Sequence, residues 1–222
     1  SQEDGTLWIG TWAGVNAVYD NPPESTEQTI HPDRYGVDSP TNVTIEDRSA
    51  ENWYVPPQGE GSIDYAQFGE AGLFAMLWYP SHVETTESGS VTDVVIPYRY
   101  FFRPSQDELD LYNYDHPATA GWDGDKLLPY RTNESVDTNE TGYVWKTVWD
   151  SEADAAEFAD AYETLLVHQG GEPVPGRQNA YRIDDGEFAD AFTVAQRGTN
   201  VTIVNAPTIP ELNEVRDRKS VV

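Results

Sequence analysis

The chain has 222 residues, enough to bury a sizeable core, and its 39 acidic against 13 basic residues give a formal net charge of −26. Disordered acidic chains are poor in aromatics, whereas this one carries 7 Trp, 13 Tyr and 7 Phe, so its composition describes a folded protein with an acidic surface. The absence of a Lys/Arg patch argues against nucleic acid as a partner, and the absence of cysteine excludes disulfides and thiolate metal sites.

Lysine is almost emptied out, with only Lys126, Lys146 and Lys219. An acidic, lysine-poor surface repels itself in dilute buffer. The repulsion is largely screened in brine, where the Debye length falls to about 3 Å at 1 M salt. Carboxylates also hold water and hydrated cations. The combination resembles that of proteins from extreme halophiles; the competing reading is an acidic protein that binds a basic partner or calcium. No apolar run reaches the ~20 residues of a membrane span, and no charged n-region with an apolar h-region opens the chain. A start at Ser1 without Met suggests processing or a fragment. Four Asn-x-Ser/Thr sequons, at Asn42, Asn133, Asn139 and Asn200, suggest an extracellular or cell-surface glycoprotein.

In chain order, Leu7–Tyr19 has helical spacing weakened by two glycines, and Ser25 to Gln28 has the form of a capping box for a short helix to Ile30, ended by His31-Pro32. Tyr35–Gly61 reads as a long connection with short strands at Val43–Ile45 and Trp53–Val55. Ile63–Tyr79 is the most apolar helical stretch, followed by a polar loop over Val83–Ser90. Val91–Phe102 reads as partly extended around Pro97, and Gln106–Tyr114 as a short helix.

A turn over Gly121–Asp125 leads into a short apolar run to Tyr130, and Gly142–Trp149 is a second β-branched and aromatic run. Ser151 and Asp154 then cap a helix to His168, with Ala155, Phe158, Ala159, Tyr162, Leu165 and Leu166 on its apolar face. Gln169-Gly170-Gly171 ends it, and Glu172–Gln178 loops back. A strand at Ala180–Ile183, a hairpin of Phe188–Arg197 and Asn200–Asn205 about Gly198-Thr199, and a helix to about Arg216 complete the chain. The expected fold is α+β: a helical N-terminal part, then a mainly antiparallel sheet with helices packed on one face. Residues 1–118 would be a helix- and loop-rich part and 119–222 an α+β domain, or the two one continuous domain.

Few constellations carry chemistry. His31, His82, His116 and His168 have no histidine three or four residues away, so a His-Glu-x-x-His zinc helix is missing, as are a phosphate loop and a nucleophile elbow. Glu70, the one carboxylate in the Ile63–Tyr79 stretch, reads either as a buried general acid with a raised pKa or as a satisfied ion-pair residue. Asp123 and Asp125 form an oxygen-rich turn that falls short of EF-hand spacing. Trp122, Trp145 and Trp149 beside acids would suit a sugar cleft, yet the spacing of Trp145 and Trp149 puts them on one strand face, as core.

The series NPPESTEQTIHPDRY (Asn21 to Tyr35), FGEAGLFAML (Phe68 to Leu77), AGWDGDKLLPY (Ala120 to Tyr130) and VWKTVWDSEADAAEFADAY (Val144 to Tyr162) resembles the C-terminal half of exported metallopeptidase-like, gluzincin-related proteins of haloarchaea and some bacteria. In those proteins the zinc helix lies in the N-terminal half, so the resemblance transfers no zinc ligand or catalytic residue to this chain. It implies no cofactor here, with zinc only if a preceding part supplies the ligands. The implied role is an exported, non-catalytic accessory or binding region. The alternatives are part of a zinc peptidase, with Glu70 and His31 as contributors, or a structural component of a surface layer or filament. Partners would be a protein or a surface assembly.

Overall fold

The computed structural model describes residues 16, 18–57, 64–103, 111–133 and 141–217. The reading for Leu7–Tyr19 falls largely outside these residues, and Asn139 and Lys219 entirely so; of the short helix expected over Gln106–Tyr114, residues 111–114 are described and are extended, with Tyr112 bridged to Phe102. The described strands are β1 (Trp53–Tyr54), β2 (Trp122–Thr132), β3 (Thr141–Trp149), β4 (Glu172–Pro173), β5 (Ala180–Arg182), β6 (Ala191–Arg197) and β7 (Asn200–Ala206). The helices are α1 (Glu27–Ile30), α2 (Gly69–Ser88), α3 (Glu152–His168) and α4 (Leu212–Val215), with 3-10 turns at Pro32–Arg34 and Tyr98–Phe101. All seven strands form one antiparallel sheet in the order β1-β2-β3-β7-β6-β5-β4, an α+β fold.

The topology follows from α3. After the β2–β3 hairpin this helix carries the chain across the sheet to the far edge, and β4 to β7 then walk back until β7 pairs with β3. Its start is fixed by Ser151, whose Oγ accepts from Asp154 N at 3.2 Å and donates to Asp154 Oδ2 at 2.8 Å. Phe158, Ala159, Tyr162 and Leu166 are buried beneath it, with Phe158 stacked on Trp149 at 4.8 Å between ring centroids. The helix ends where Gly170 takes φ +88°. The β6–β7 hairpin turns on Gly198-Thr199, with Arg197 opposite Asn200 and Gly198 at φ +57°.

Elements on both sides of residue 118 share this core. Leu73, Phe74 and Leu77 of α2 and Ile96 pack with Trp122, Trp145, Trp149 and α3 on one face of the sheet. On the other face Trp53, Leu128, Tyr130, Val144 and Val204 pack with Leu212 and Val215 of the one-turn α4. The two long helices therefore lie on one face and α4 on the other.

Several local readings are corrected. The turn expected over Gly121–Asp125 is mostly strand: β2 begins at Trp122 and absorbs the extra residue Asp123 as a register shift. Gly124 is needed there because a Cβ would stand 2.5 Å from Thr41 O. The helix expected from Ile63 to Tyr79 begins at Gly69, and the polar loop over Val83–Ser90 is instead its last turns. Serine and threonine hydroxyls satisfy local acceptors there: Thr86 donates to His82 O and Ser88 to Glu84 O, and Gly89 closes the helix at φ +70°. Val91–Phe102 holds no strand; bends lead into the 3-10 turn, which clusters Tyr98, Phe101 and Phe102 around Trp78. Val43–Ile45 is likewise not a strand, although Val43 is buried. Glu172-Pro173, expected in a loop, forms the edge strand β4, and the final helix is confined to one turn.

Candidate functional site

Four charged or titratable groups with raised pKa, Glu27, His31, Arg34 and Glu70, gather where the N-terminal segment meets α2 and the β3–α3 junction. Three unconnected stretches of sequence build it. Gln28 N donates to Ser25 Oγ, and Gln28 Oε1 accepts from Glu24 N, but α1 itself opens at Glu27 behind Thr26, which gives it no side-chain cap, so the box expected from sequence ties down the preceding turn and does not cap the helix. The 3-10 turn after it then presents His31 and Arg34. Thr26 Oγ1 accepts from Ala71 N in the first turn of α2, which sets the two segments against each other.

Asp125 fixes the other half. It is fully buried on β2, and its carboxylate accepts from Phe68 N, Gly69 N and Trp145 Nε1 at 3.0–3.1 Å. This is a helix cap supplied from a distant strand, with the carboxylate at the positive end of the α2 dipole. Asp123 is also committed, accepting from Thr41 N and Thr41 Oγ1. The oxygen-rich turn read from the sequence is thus a pair of tertiary anchors.

With α2 so placed, Glu70 is 0% exposed and meets His31, Oε1 to Nε2, at 3.0 Å. Burial pushes the Glu70 pKa up against the pull of His31, while the hydrogen bond to Glu70 pushes His31 up. Glu27, also buried, is pushed up by burial to about 7 despite Arg34. Glu27 Oε1 and Glu70 Oε2 make no hydrogen bond.

Carboxylate oxygens of Glu27, Asp38 and Asp150 lie within 4.8 Å of one another, close enough to surround a cation. A cation already stands among them. Arg34 Nη1 is 2.6 Å from Asp150 Oδ2, 2.5 Å from Asp38 Oδ2 and 3.4 Å from Glu27 Oε1. The guanidinium occupies the position a metal ion would need, and the donor set does not fit a metal while it stays there. The geometry can do two things: hold a proton on His31–Glu70, and tie the N-terminal segment to the end of β3.

Residues 55–216 match the model of a domain of unknown function, DUF8575. The chain belongs to the DUF8575 family. No curated protein and no solved structure matches it. Glu70 and Asp150 lie within the DUF8575 span, whereas Glu27, His31, Arg34 and Asp38 precede it.

Of the residues singled out from sequence, His31 and Glu70 are brought together across 39 positions, and the other candidates are not joined to them. Trp145 and Trp149 are buried on one face of β3, and Trp122 is buried beside them, so all three are core. His82 stacks on Trp78, His116 accepts from Ala118 N, and His168 lies 3.8 Å from Glu84. Burial pushes the His116 pKa down. The sequons Asn42 and Asn133 are exposed in the DUF8575 protein, and Asn200 is half-buried at the β6–β7 turn. Sequence reasoning missed Glu27, Arg34, Asp38 and Asp150. Only the Arg34/Asp38 spacing of four offered a local signal; Asp150 is 116 residues from Arg34.

Proposed function

We propose that this chain is a salt-adapted accessory or binding domain of an exported surface protein, non-catalytic by itself. The observation that carries this reading is Arg34 at the centre of Glu27, Asp38 and Asp150, beside the His31–Glu70 pair. Catalytic acids and bases need partners among substrate atoms. Here the perturbed groups face one another and join separate segments of the chain, which is the work of a structural clasp. The acidic, lysine-poor composition supports function in concentrated salt, and the exposed sequons support export.

The metallopeptidase-like context rests on the motif series alone, so its test lies in the complete reading frame. A His-Glu-x-x-His helix encoded before Ser1, with peptide hydrolysis by the zinc-loaded full-length protein that disappears on His31→Ala or Glu70→Gln while folding is retained, would replace the accessory reading with the enzymatic one. Hydrolysis unchanged by both substitutions, or no hydrolysis, supports the accessory reading.

A further inference from the structure

The sheet face that carries α4 also gathers scarce basic residues. Lys126 pairs with Lys146 across β2 and β3, Lys146 with Thr202 on β7, and Thr202 with Ala195 on β6, so these four share one face in a row across the sheet. Arg197, two residues along β6 from Ala195, lies on the same face. Two of the chain's three lysines are on this face, and every Lys and Arg counts in a chain of net charge −26.

A cavity of about 570 Å³ opens against this face, lined by β6, the segment before β5 and α4, and its size suits a small molecule. Arg177, Arg197 and Arg216 line it together with Asn179, Thr193 and Asn213. Among the described residues no Asp or Glu lines it, although 39 of the 222 residues are acidic; Glu46 and Asp47 stand near Arg216 but outside this lining. Arg177 Nη1 donates to Ile209 O, which anchors that side chain to the approach to α4. Arg216 Nη1 donates to Glu46 O at 3.2 Å, and Arg216 Nε is buried with no hydrogen-bond partner. Asn179 holds φ +56°, with its carbonyl accepting from Val194 N, a left-handed residue that turns the chain at the cavity wall. Ala195, Val204 and Leu212 add apolar lining for a carbon skeleton.

We propose that this cavity binds a small molecule bearing an oxyanion, a carboxylate or a phosphate ester, gripped by Arg177 and Arg197 and hydrogen-bonded by Asn179, Thr193 and Asn213. Guanidinium forks match the two oxygens of either group, whereas chloride, the competing anion in brine, offers a single point of contact. Contacts this short persist in salt because the Debye length at 1 M is itself about 3 Å. The site goes beyond the accessory-domain reading and does not depend on it.

The test is titration of the intact chain in molar KCl with inorganic phosphate and, separately, with galacturonate, followed by NMR. Saturable shifts confined to Arg177, Asn179, Thr193, Arg197 and Asn213 are expected with at least one probe. Which probe binds distinguishes phosphate from carboxylate chemistry. Arg197→Gln, at the exposed end of β6, should weaken binding about tenfold, the scale of one charge-assisted hydrogen bond, with melting temperature unchanged. Saturation by neither probe, shifts centred elsewhere, or undiminished binding by Arg197→Gln would each overturn the proposal. The mapping uses the unsubstituted protein, so it decides even if the variant folds poorly.

Discussion

Glu27 shows how one residue couples the fold to pH. Its folded pKa of about 7 lies above its ordinary value of 4.5, so the fold binds the neutral acid more tightly than the unfolded chain does. The associated stability is whole below about pH 4.5 and is lost as pH rises to about 7. His31 and Glu70, both raised, act in the same direction: each favours the fold in its protonated form and loses that contribution as pH rises through its folded value. Thermal unfolding in molar KCl should therefore show a melting temperature that falls across this window, with Glu27→Gln flattening the fall. General self-repulsion also grows with pH, so the difference between the two proteins is the decisive quantity; parallel curves would refute the assignment. Asp125 tests a different property. Asp125→Ala leaves Phe68 N, Gly69 N and Trp145 Nε1 without their acceptor and should cost on the order of 2–4 kcal/mol, read from the denaturant midpoint.

At the scale of elements, α3 was legible because its apolar spacing, its Ser151 cap and its glycine stop all agree, and local and tertiary preferences coincide. Ser151→Ala should cost ~1 kcal/mol without changing the fold, measurable by equilibrium unfolding. The start of α2 was not legible, because its cap is a carboxylate 56 residues away from Gly69, on another element. Its end was hidden by a polar composition that usually marks a loop. Strand exposure also bears on modification. Asn42 and Asn133 are exposed, whereas Asn200 sits in the β6–β7 turn with its amide near Thr199 Oγ1. Mass spectrometry of protein from the native host should find glycan at Asn42 or Asn133 in preference to Asn200.

For the whole molecule, the acidic charge makes salt a structural variable. Lowering KCl from ~1 M to ~0.1 M extends the Debye length from about 3 Å to about 10 Å, and the melting temperature should drop. An equal melting temperature at both concentrations would remove the argument for salt adaptation. The buried aromatic core on both faces of the sheet is what lets a chain of this charge fold at all, since the burial of Trp, Tyr and Phe opposes the repulsion of the exterior.

By itself, the sequence determined the class of fold, the central pair of strands, the capped α3 and the β6–β7 hairpin, because periodicity, caps and turn glycines act between residues close in the chain. It also determined the charge of the exterior. Only the tertiary structure decided that Asp125 is a cap, that His31 meets Glu70, that Arg34 fills the carboxylate triad, and that Arg177, Arg197 and Arg216 line one cavity. Electrostatic partners and hydrogen bonds act through space at a few ångströms, and chain topology alone sets which residues come within that range.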